Sequence, residues 1–89
     1  MKAVITVTGK DTVGIIALVS QECSRYGVNI VDISQSVMRE YFAMIMLVEL
    51  EGLSVAFADF AKELADLGAQ RGLDIRVMHE EIFNSMHRI

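Results

Sequence analysis

One short segment of the chain combines residue types that could bind a small charged ligand. It covers residues 9–16, with the sequence GKDTVGII, between a predicted strand and a predicted helix. The first N–H groups of a helix have no partner within it, so they attract carboxylates together with the helix dipole. Gly14 falls at about the second helical position, where glycine is about 1 kcal/mol worse than alanine. That cost is explained if a ligand must approach the backbone closely.

Asp11 adds a negative charge beside these N–H groups. A ligand with both a carboxylate and an ammonium group, such as a free amino acid, would suit this pair of features. A plain strand-to-helix turn, with a tight helix–sheet contact at Gly14, explains the same residues without any ligand. Both interpretations stay open from these residues alone.

The residues that enzymes use for catalysis are few and scattered. The two histidines, His79 and His87, lie near the C-terminus, and the alternation of His79 with Val77 favours a structural position. Cys23 lies in an apolar helix stripe without a neighbouring histidine, so we expect a buried and unreactive thiol. Glu80 and the two histidines are too few ligands for a metal site. We therefore predict no catalytic site, no metal and no cofactor.

Hydrophobic periodicity predicts strands and helices in the order βαββαβ. Alternating apolar residues indicate the strands, and apolar residues at three- and four-residue spacing indicate the helices. The predicted strands are residues 2–8, 28–39, 41–51 and 73–80, and the predicted helices are residues 13–25 and 55–71. Thr12 and Ser54 are candidate N-caps, and Gly27 and Gly72 follow the two helix ends.

These elements predict a ferredoxin-like α+β fold. The third strand is apolar on both faces, which is typical of a central strand. Two helices with one apolar stripe each can cover one face of a four-stranded antiparallel sheet, with the strand order 4-1-3-2. Residues 81–89 are predicted to form a short helical tail with Ile82, Phe83, Met86 and Ile89 on one side. We expect the first three to pack against the domain or a second chain.

Length and composition predict one domain that associates with a copy of itself. The chain has 89 residues, of which 53% are hydrophobic. A chain of this size buries only about 60–65% of its unfolded surface, so more apolar material is present than one small core can hide. The second predicted strand would also leave an unpaired sheet edge. We therefore expect a homodimer in which equivalent edges pair.

Several partners and locations are disfavoured by the same composition. The longest apolar run, residues 42–48, is far shorter than the roughly 20 residues of a membrane span. Thr6 and Thr8 interrupt the apolar N-terminus, so no signal peptide is predicted. The net charge of −4 and the absence of a basic block argue against direct binding to nucleic acid. A single cysteine fits a reducing compartment, so we expect a cytoplasmic protein without a membrane partner.

Residues 9–33, with the sequence GKDTVGIIALVSQECSRYGVNIVDI, resemble the ACT domain family. The family pattern is a strand, a loop with Asp and Pro-Gly, an apolar helix and a Tyr/His-Gly-Val/Ile-Asn-Ile strand entry. The matching residues are Asp11, Gly14 and residues 26–30, and the βαββαβ order covers nearly the whole chain. Val13 departs from the pattern because many members have proline there, which pre-sets the helix start.

The resemblance implies a regulatory module that binds a small ligand, often an amino acid, at a dimer interface near the glycine. The chain is similar to small free-standing single-ACT-domain proteins of bacteria and archaea, which share its tail. It is also similar to the ACT repeats of the glycine cleavage system's transcriptional repressor. Carried over by position, the ligand-binding residues are Asp11, Thr12, Val13, Gly14, Ile15 and Asn29. A regulated protein is a further expected partner.

Other functions of this fold need residues that the chain does not have. A heavy-metal chaperone needs a Cys-x-x-Cys pair, and an acylphosphatase-like enzyme needs an arginine in a loop that offers only Lys10. An RNA-recognition domain needs exposed aromatic residues on a positively charged sheet. The remaining alternative is a dimeric protein–protein interaction module that binds no small ligand.

Overall fold

The computed structural model describes residues 1–10 and 13–86. Its elements are β1 (Lys2–Lys10), α1 (Ile15–Arg25), β2 (Asn29–Met38), β3 (Tyr41–Glu49), α2 (Phe57–Gln70), β4 (Leu73–His79) and α3 (Glu80–Met86). The four strands form one antiparallel sheet in the order β2-β3-β1-β4. The predicted ferredoxin-like fold, the strand order and the central position of the third strand are confirmed.

The core lies between one face of the sheet, here called the helix face, and helices α1 and α2. Alternate residues of each central strand point into it, because side chains of a strand alternate between the two faces. Helix α1 adds residues four apart, which form one stripe. The fully buried members with the largest side chains are Phe60, Ile5, Met44, Met46, Leu64, Val7, Val19, Val48 and Cys23. Burial of this apolar cluster is the main favourable term for folding.

The opposite face of the sheet, here called the open face, carries α3. Thr6 and Thr8 of β1 alternate with the core residues and therefore point to this face. Helix α3 packs against β1 and β4, and its Phe83 is half-buried. Ile82 and Met86 remain 52% and 66% exposed, so the expected packing of these two is not met within one copy. The expectation for Ile89 lies outside the described residues.

Both predicted helix starts are wrong by about two residues. Helix α1 begins at Ile15, because Gly14 adopts a left-handed conformation that is not helical. Helix α2 begins at Phe57 with Ala56 as its N-cap, so Ser54 does not cap it. The expected cap at Thr12 lies outside the described residues. Among the residues that the structure describes, no side chain caps either helix start with a hydrogen bond to its backbone.

The C-terminal end of α1 is locked against the loop between β3 and α2. The N–H of Ser54 donates to the carbonyl oxygen of Tyr26 at 2.9 Å. Gly27 has a φ of +76°, and a Cβ atom there would overlap the carbonyl oxygen of Gly52. The ring of Tyr26 meets that of Phe60 edge to face, with centroids 5.8 Å apart. The two backbones can approach so closely because both Gly27 and Gly52 lack a side chain.

Candidate functional site

Gly14 lies at the N-terminal end of α1, where the candidate site begins. Its φ of +89° and ψ of +9° place it in the left-handed region, as the N-cap of α1. The N–H of Leu18 donates to its carbonyl oxygen at 2.9 Å, which begins the hydrogen bonding of the helix. A Cβ atom at Gly14 would meet no heavy atom of the described residues within 4 Å. The predicted tight helix–sheet contact at Gly14 is therefore wrong, and residues 1–10 and 13–86 leave the space in front of this glycine open.

The surroundings of Gly14 suit an anion with an apolar part. The first N–H groups of α1 have no partners within the helix, and the first turn of α1 contains no acidic residue. Lys10 is exposed at the end of β1 and places a positive charge just before the loop. The side chain of Val13 is fully exposed, and Ile16 is 37% exposed. These two apolar side chains are accessible to the apolar part of a ligand or to a partner protein.

The predicted site residues are not all together in one copy of the chain. Val13, Gly14 and Ile15 lie at the start of α1, although the Ile15 side chain is buried in the core. Asn29 lies beyond the other end of α1, exposed on β2, where its Nδ2 donates to Glu49 Oε1 at 2.9 Å. The eleven residues of α1 separate these positions by about 16 Å. Asp11 and Thr12 lie outside the described residues.

Strand β2 is an edge strand whose outer side is open. Every residue from 31 to 40 is exposed, and the apolar side chains of Val31, Ile33 and Val37 are 47%, 37% and 53% exposed. A β-bulge interrupts its pairing with β3 between Ile30 and Asp32. A long edge strand with exposed apolar residues is a template for pairing with another strand.

The strand register fixes which end of β2 is near Gly14. Met38 pairs with Tyr41, and Tyr41 pairs with Lys10, which precedes the loop to Gly14. Asn29 instead pairs with Glu49, which pairs with Lys2 at the far end of the sheet. The C-terminal end of β2 therefore lies at the same end of the sheet as Gly14, and the N-terminal end of β2 lies at the opposite end.

His79 and Cys23, two residues with potential for catalysis, are used in packing, and His87 lies outside the described residues. The ring of His79 stacks on Phe57 with centroids 4.0 Å apart and an angle of 17° between the planes. Cys23 is fully buried, and burial raises the pKa of its thiol from 9.0 to about 11. Both residues thus have the structural roles that the sequence predicts. Within residues 1–10 and 13–86, no three histidine, cysteine or acidic side chains are grouped to hold a metal ion. In the same part of the chain, no helix has the length and apolar character needed to cross a membrane.

Two surface cavities lie away from the Gly14 end. One of about 560 Å³ is lined by residues of the N-terminus, by His79 and by the start of α3. The other, of about 360 Å³, lies on the open face beside α3. Neither is lined by residues 13–16 or by Asn29. Sequence reasoning missed the open-face cavity, although the hydroxyls of Thr6 and Thr8, alternating on one strand, were a signal for it.

The geometry defines a class of protein: a ferredoxin-like α+β domain with an accessible helix start beside an exposed sheet edge. The chain belongs to the ACT domain family, whose model matches residues 2–78. ACT domains are regulatory modules that bind small ligands. A UPF0237 protein of Clostridium acetobutylicum is 51% identical over 89 residues and is matched over 100% of both chains. An archaeal UPF0237 protein, from Methanocaldococcus jannaschii, is 44% identical over 99% of this chain and 98% of its own.

Solved structures give the same result. An ACT domain protein from Streptococcus pneumoniae is 39% identical, with a TM-score of 0.81 and coverage of 98% of both chains. A putative glycine cleavage system transcriptional repressor is 26% identical, with a TM-score of 0.70 over 85% of this chain and 43% of its own. The resemblance to this family predicted from the sequence is confirmed.

Proposed function

We propose that the protein is a regulatory module without enzymatic activity that binds a free amino acid at the interface of a homodimer. The observation that carries the proposal is Gly14, which has a left-handed backbone and open space where a side chain would lie. Within the described residues, no contact requires a glycine at this position, although its left-handed backbone favours one. A ligand that approaches the backbone closely would occupy this open space.

Pairing of β2 with β2 of a second copy would complete this site. In a two-fold dimer the paired edges run antiparallel, so the start of one β2 lies beside the end of the other. The partner's Asn29 would then lie near Met38. This is the end of the sheet at which Lys10 precedes the loop to Gly14. The same pairing would cover Ile33 and Val37, which are exposed in one copy. Dimerisation therefore explains both the apolar edge and the distance between Asn29 and Gly14.

Each part of an amino acid has a candidate partner in this arrangement. The N–H groups of the first turn of α1 would bind the carboxylate, favoured by the helix dipole. Asp11 or nearby carbonyl groups would bind the ammonium group, and the partner's Asn29 would add an amide that both donates and accepts. Ligand binding would change the state of a regulated protein, and we place this activity in the cytoplasm.

Calorimetry with matched variants at Gly14 tests the proposal. A thermal-shift panel of free amino acids first selects the ligand, since a ligand at 100 times its dissociation constant stabilises by about 2.7 kcal/mol. Gly14→Glu then fills the open space and places a competing carboxylate at the N–H groups, so binding should be lost. Gly14→Ala imposes the same left-handed strain with one methyl group and is the control. Wild-type affinity in folded Gly14→Glu would place the site elsewhere.

The fully exposed Val13 beside Gly14 also favours a second candidate function. An exposed apolar residue just before the helix start would suit a protein partner, and the protein would then be an interaction module that binds no small ligand. The panel separates the two functions. If no amino acid binds the wild-type protein at millimolar concentration, the interaction module becomes the better explanation.

A further inference from the structure

The open face contains a groove that lies away from α1 and β2. One end is bounded by α3, and its floor is formed by strands β1, β3 and β4. Its volume of about 360 Å³ lies within the roughly 300–1,000 Å³ typical of ligand pockets. The lining residues are Thr6, Thr8, Ala43, Met44, Ile45, Asp74, Arg76, Met78, Phe83 and Met86. We call it the open-face groove.

One side of the open-face groove carries a polar group of four residues. Thr6 is directly opposite Arg76 in the strand register, and Thr8 is directly opposite Asp74. Residues opposite each other in an antiparallel pair have Cβ atoms about 5 Å apart, so these four side chains are neighbours. The Nε of Arg76 donates to Oδ1 of Asp74 at 3.2 Å.

The Asp74–Arg76 pair has further capacity for hydrogen bonds. A guanidinium has five N–H donors, and Asp74 takes the one on Nε. The terminal Nη groups of Arg76 can hold a carboxylate through two parallel hydrogen bonds. The Oδ2 atom of Asp74 can accept from an ammonium group. Both side chains are more than half exposed, at 54% and 71%, so a ligand can reach them.

The other side of the open-face groove is apolar. Ala43, on the neighbouring strand, is directly opposite Thr8 and has the smallest side chain of the lining residues. Ile45 is 44% exposed and Met86 is 66% exposed, and both line the groove with the half-buried Phe83. Methionine side chains adapt their shape to irregular apolar ligands. An apolar wall thus faces a pair of opposite charges across one small cavity.

We propose that the open-face groove is a second ligand site, for an α-amino acid with an aliphatic side chain. The carboxylate of the ligand binds the Nη groups of Arg76, and its ammonium group binds Oδ2 of Asp74. The side chain of the ligand lies over Ala43 against Ile45 and Met86. A head group with both charges is required, because a lone carboxylate is repelled by Asp74 and a lone ammonium group is repelled by Arg76.

This site is independent of the one proposed at Gly14. None of the residues that line the open-face groove belongs to α1, to β2 or to the loop between β1 and α1. Pairing of β2 edges leaves the groove uncovered, since the groove lies over β3, β1 and β4 and none of its lining residues belongs to β2. A dimer would therefore carry two groove sites in addition to its interface sites.

A titration with L-leucine, followed by NMR of the backbone amides, tests this proposal. We expect saturable shifts at Thr6, Thr8 and Ala43, which persist in Gly14→Glu. Isocaproate and isoamylamine carry the same branched tail with only one of the two charges, and we expect both to bind at least about tenfold more weakly. Shifts confined to residues 13–16, no saturable shift, or equal binding of isocaproate would overturn the proposal.

Two variants and a matched control locate the site within the groove. Arg76→Gln removes the carboxylate partner, and Ala43→Leu fills the floor, so each should weaken leucine binding by about tenfold or more. Lys62→Gln is the control, because Lys62 and Asp66 form an equally exposed ion pair on α2, far from the groove. Exposed ion pairs contribute little to stability, so the charges of Arg76 and Lys62 can each be removed without unfolding. Wild-type affinity in Arg76→Gln would contradict the assignment.

Discussion

The two ends of α1 both have a glycine with positive φ, but their surroundings differ. Gly27, after the C-terminal end, packs against the backbone of Gly52, with no room for a Cβ atom. Gly14, before the N-terminal end, has a φ of +89°, and no atom of the described residues lies within 4 Å of its Cβ position. The hydrogen bond from Ser54 N–H to the Tyr26 carbonyl fastens only the first of these ends.

The difference separates a glycine needed for folding from one available for binding. At Gly27, both the backbone conformation and the close approach of another loop exclude a side chain. At Gly14, the left-handed conformation favours a glycine, but none of the described residues occupies the space where a side chain would lie. A positive φ in a sequence pattern is therefore ambiguous, and only the neighbours decide which role a glycine has.

Substitution of each glycine by alanine should give the largest difference in stability between the two ends of α1. Gly27→Ala places a methyl group into the carbonyl oxygen of Gly52 and adds left-handed strain, so we expect a loss of about 3 kcal/mol in the free energy of unfolding. Gly14→Ala adds only the strain, about 1–2 kcal/mol. Urea denaturation of both variants measures the difference. Equal losses would show that the C-terminal end is not locked as described.

Association through β2 should respond to charge at its exposed apolar residues. Val37→Lys puts a charge into the proposed interface, and we expect the mass to fall from that of a dimer to the 9.9 kDa of one chain. Val55→Lys is the matched control, since Val55 is 37% exposed but lies outside β2. Light scattering at micromolar concentration gives the mass. A wild-type protein of one-chain mass would contradict the proposed dimer.

The tail should affect stability without affecting the Gly14 end. Deletion of residues 81–89 uncovers the apolar surface that Phe83 shields on the open face, so we expect a loss of about 1–2 kcal/mol. Ligand binding at the start of α1 should be unchanged, because α3 lies on the opposite face of the sheet. Thermal melting together with calorimetry checks both parts. An unchanged melting temperature would show that α3 contributes nothing to the fold.

Burial of Cys23 near the C-terminal end of α1 should make the stability of the protein depend on pH. Its thiol pKa rises from 9.0 to about 11 on folding, because burial disfavours the thiolate. The unfolded chain therefore loses this proton first, so the contribution to stability is complete below pH 9 and declines as the pH rises towards 11. At pH 10 we expect a loss of about 1 kcal/mol that is absent in Cys23→Ala. The same pH dependence in both proteins would contradict a buried thiol.

Periodicity predicted the fold because the core is formed by ordinary alternation. Ile5 and Val7 on β1 and Val19 and Cys23 on α1 fall on the faces that the pattern assigns to them. Helix starts were harder to predict, because the left-handed turn at Gly14 leaves no trace in hydrophobicity. Ser54 is a favoured N-cap residue by type, yet its N–H bonds to Tyr26 in a tertiary contact instead.

The candidate site was only partly predictable, because the site that we propose is formed by two copies of the chain. The sequence indicated Gly14 and Asn29, but the length of α1 keeps them apart in one chain. No local pattern states that two residues meet across a symmetry axis. The open-face groove depends on register between three strands and on the return of α3, which sequence spacing does not specify.

The central claim is that the open end of α1 forms a ligand site completed by Asn29 of a second copy. Mixing two inactive variants, Gly14→Glu and Asn29→Ala, tests it directly by calorimetry with the amino acid from the panel. Each variant alone has no intact interface site, but a mixed dimer has one, in which wild-type Gly14 meets wild-type Asn29. An equal mixture should therefore recover about a quarter of the wild-type sites at wild-type affinity. No recovery on mixing, with both variants folded and dimeric, would contradict a site shared between two copies.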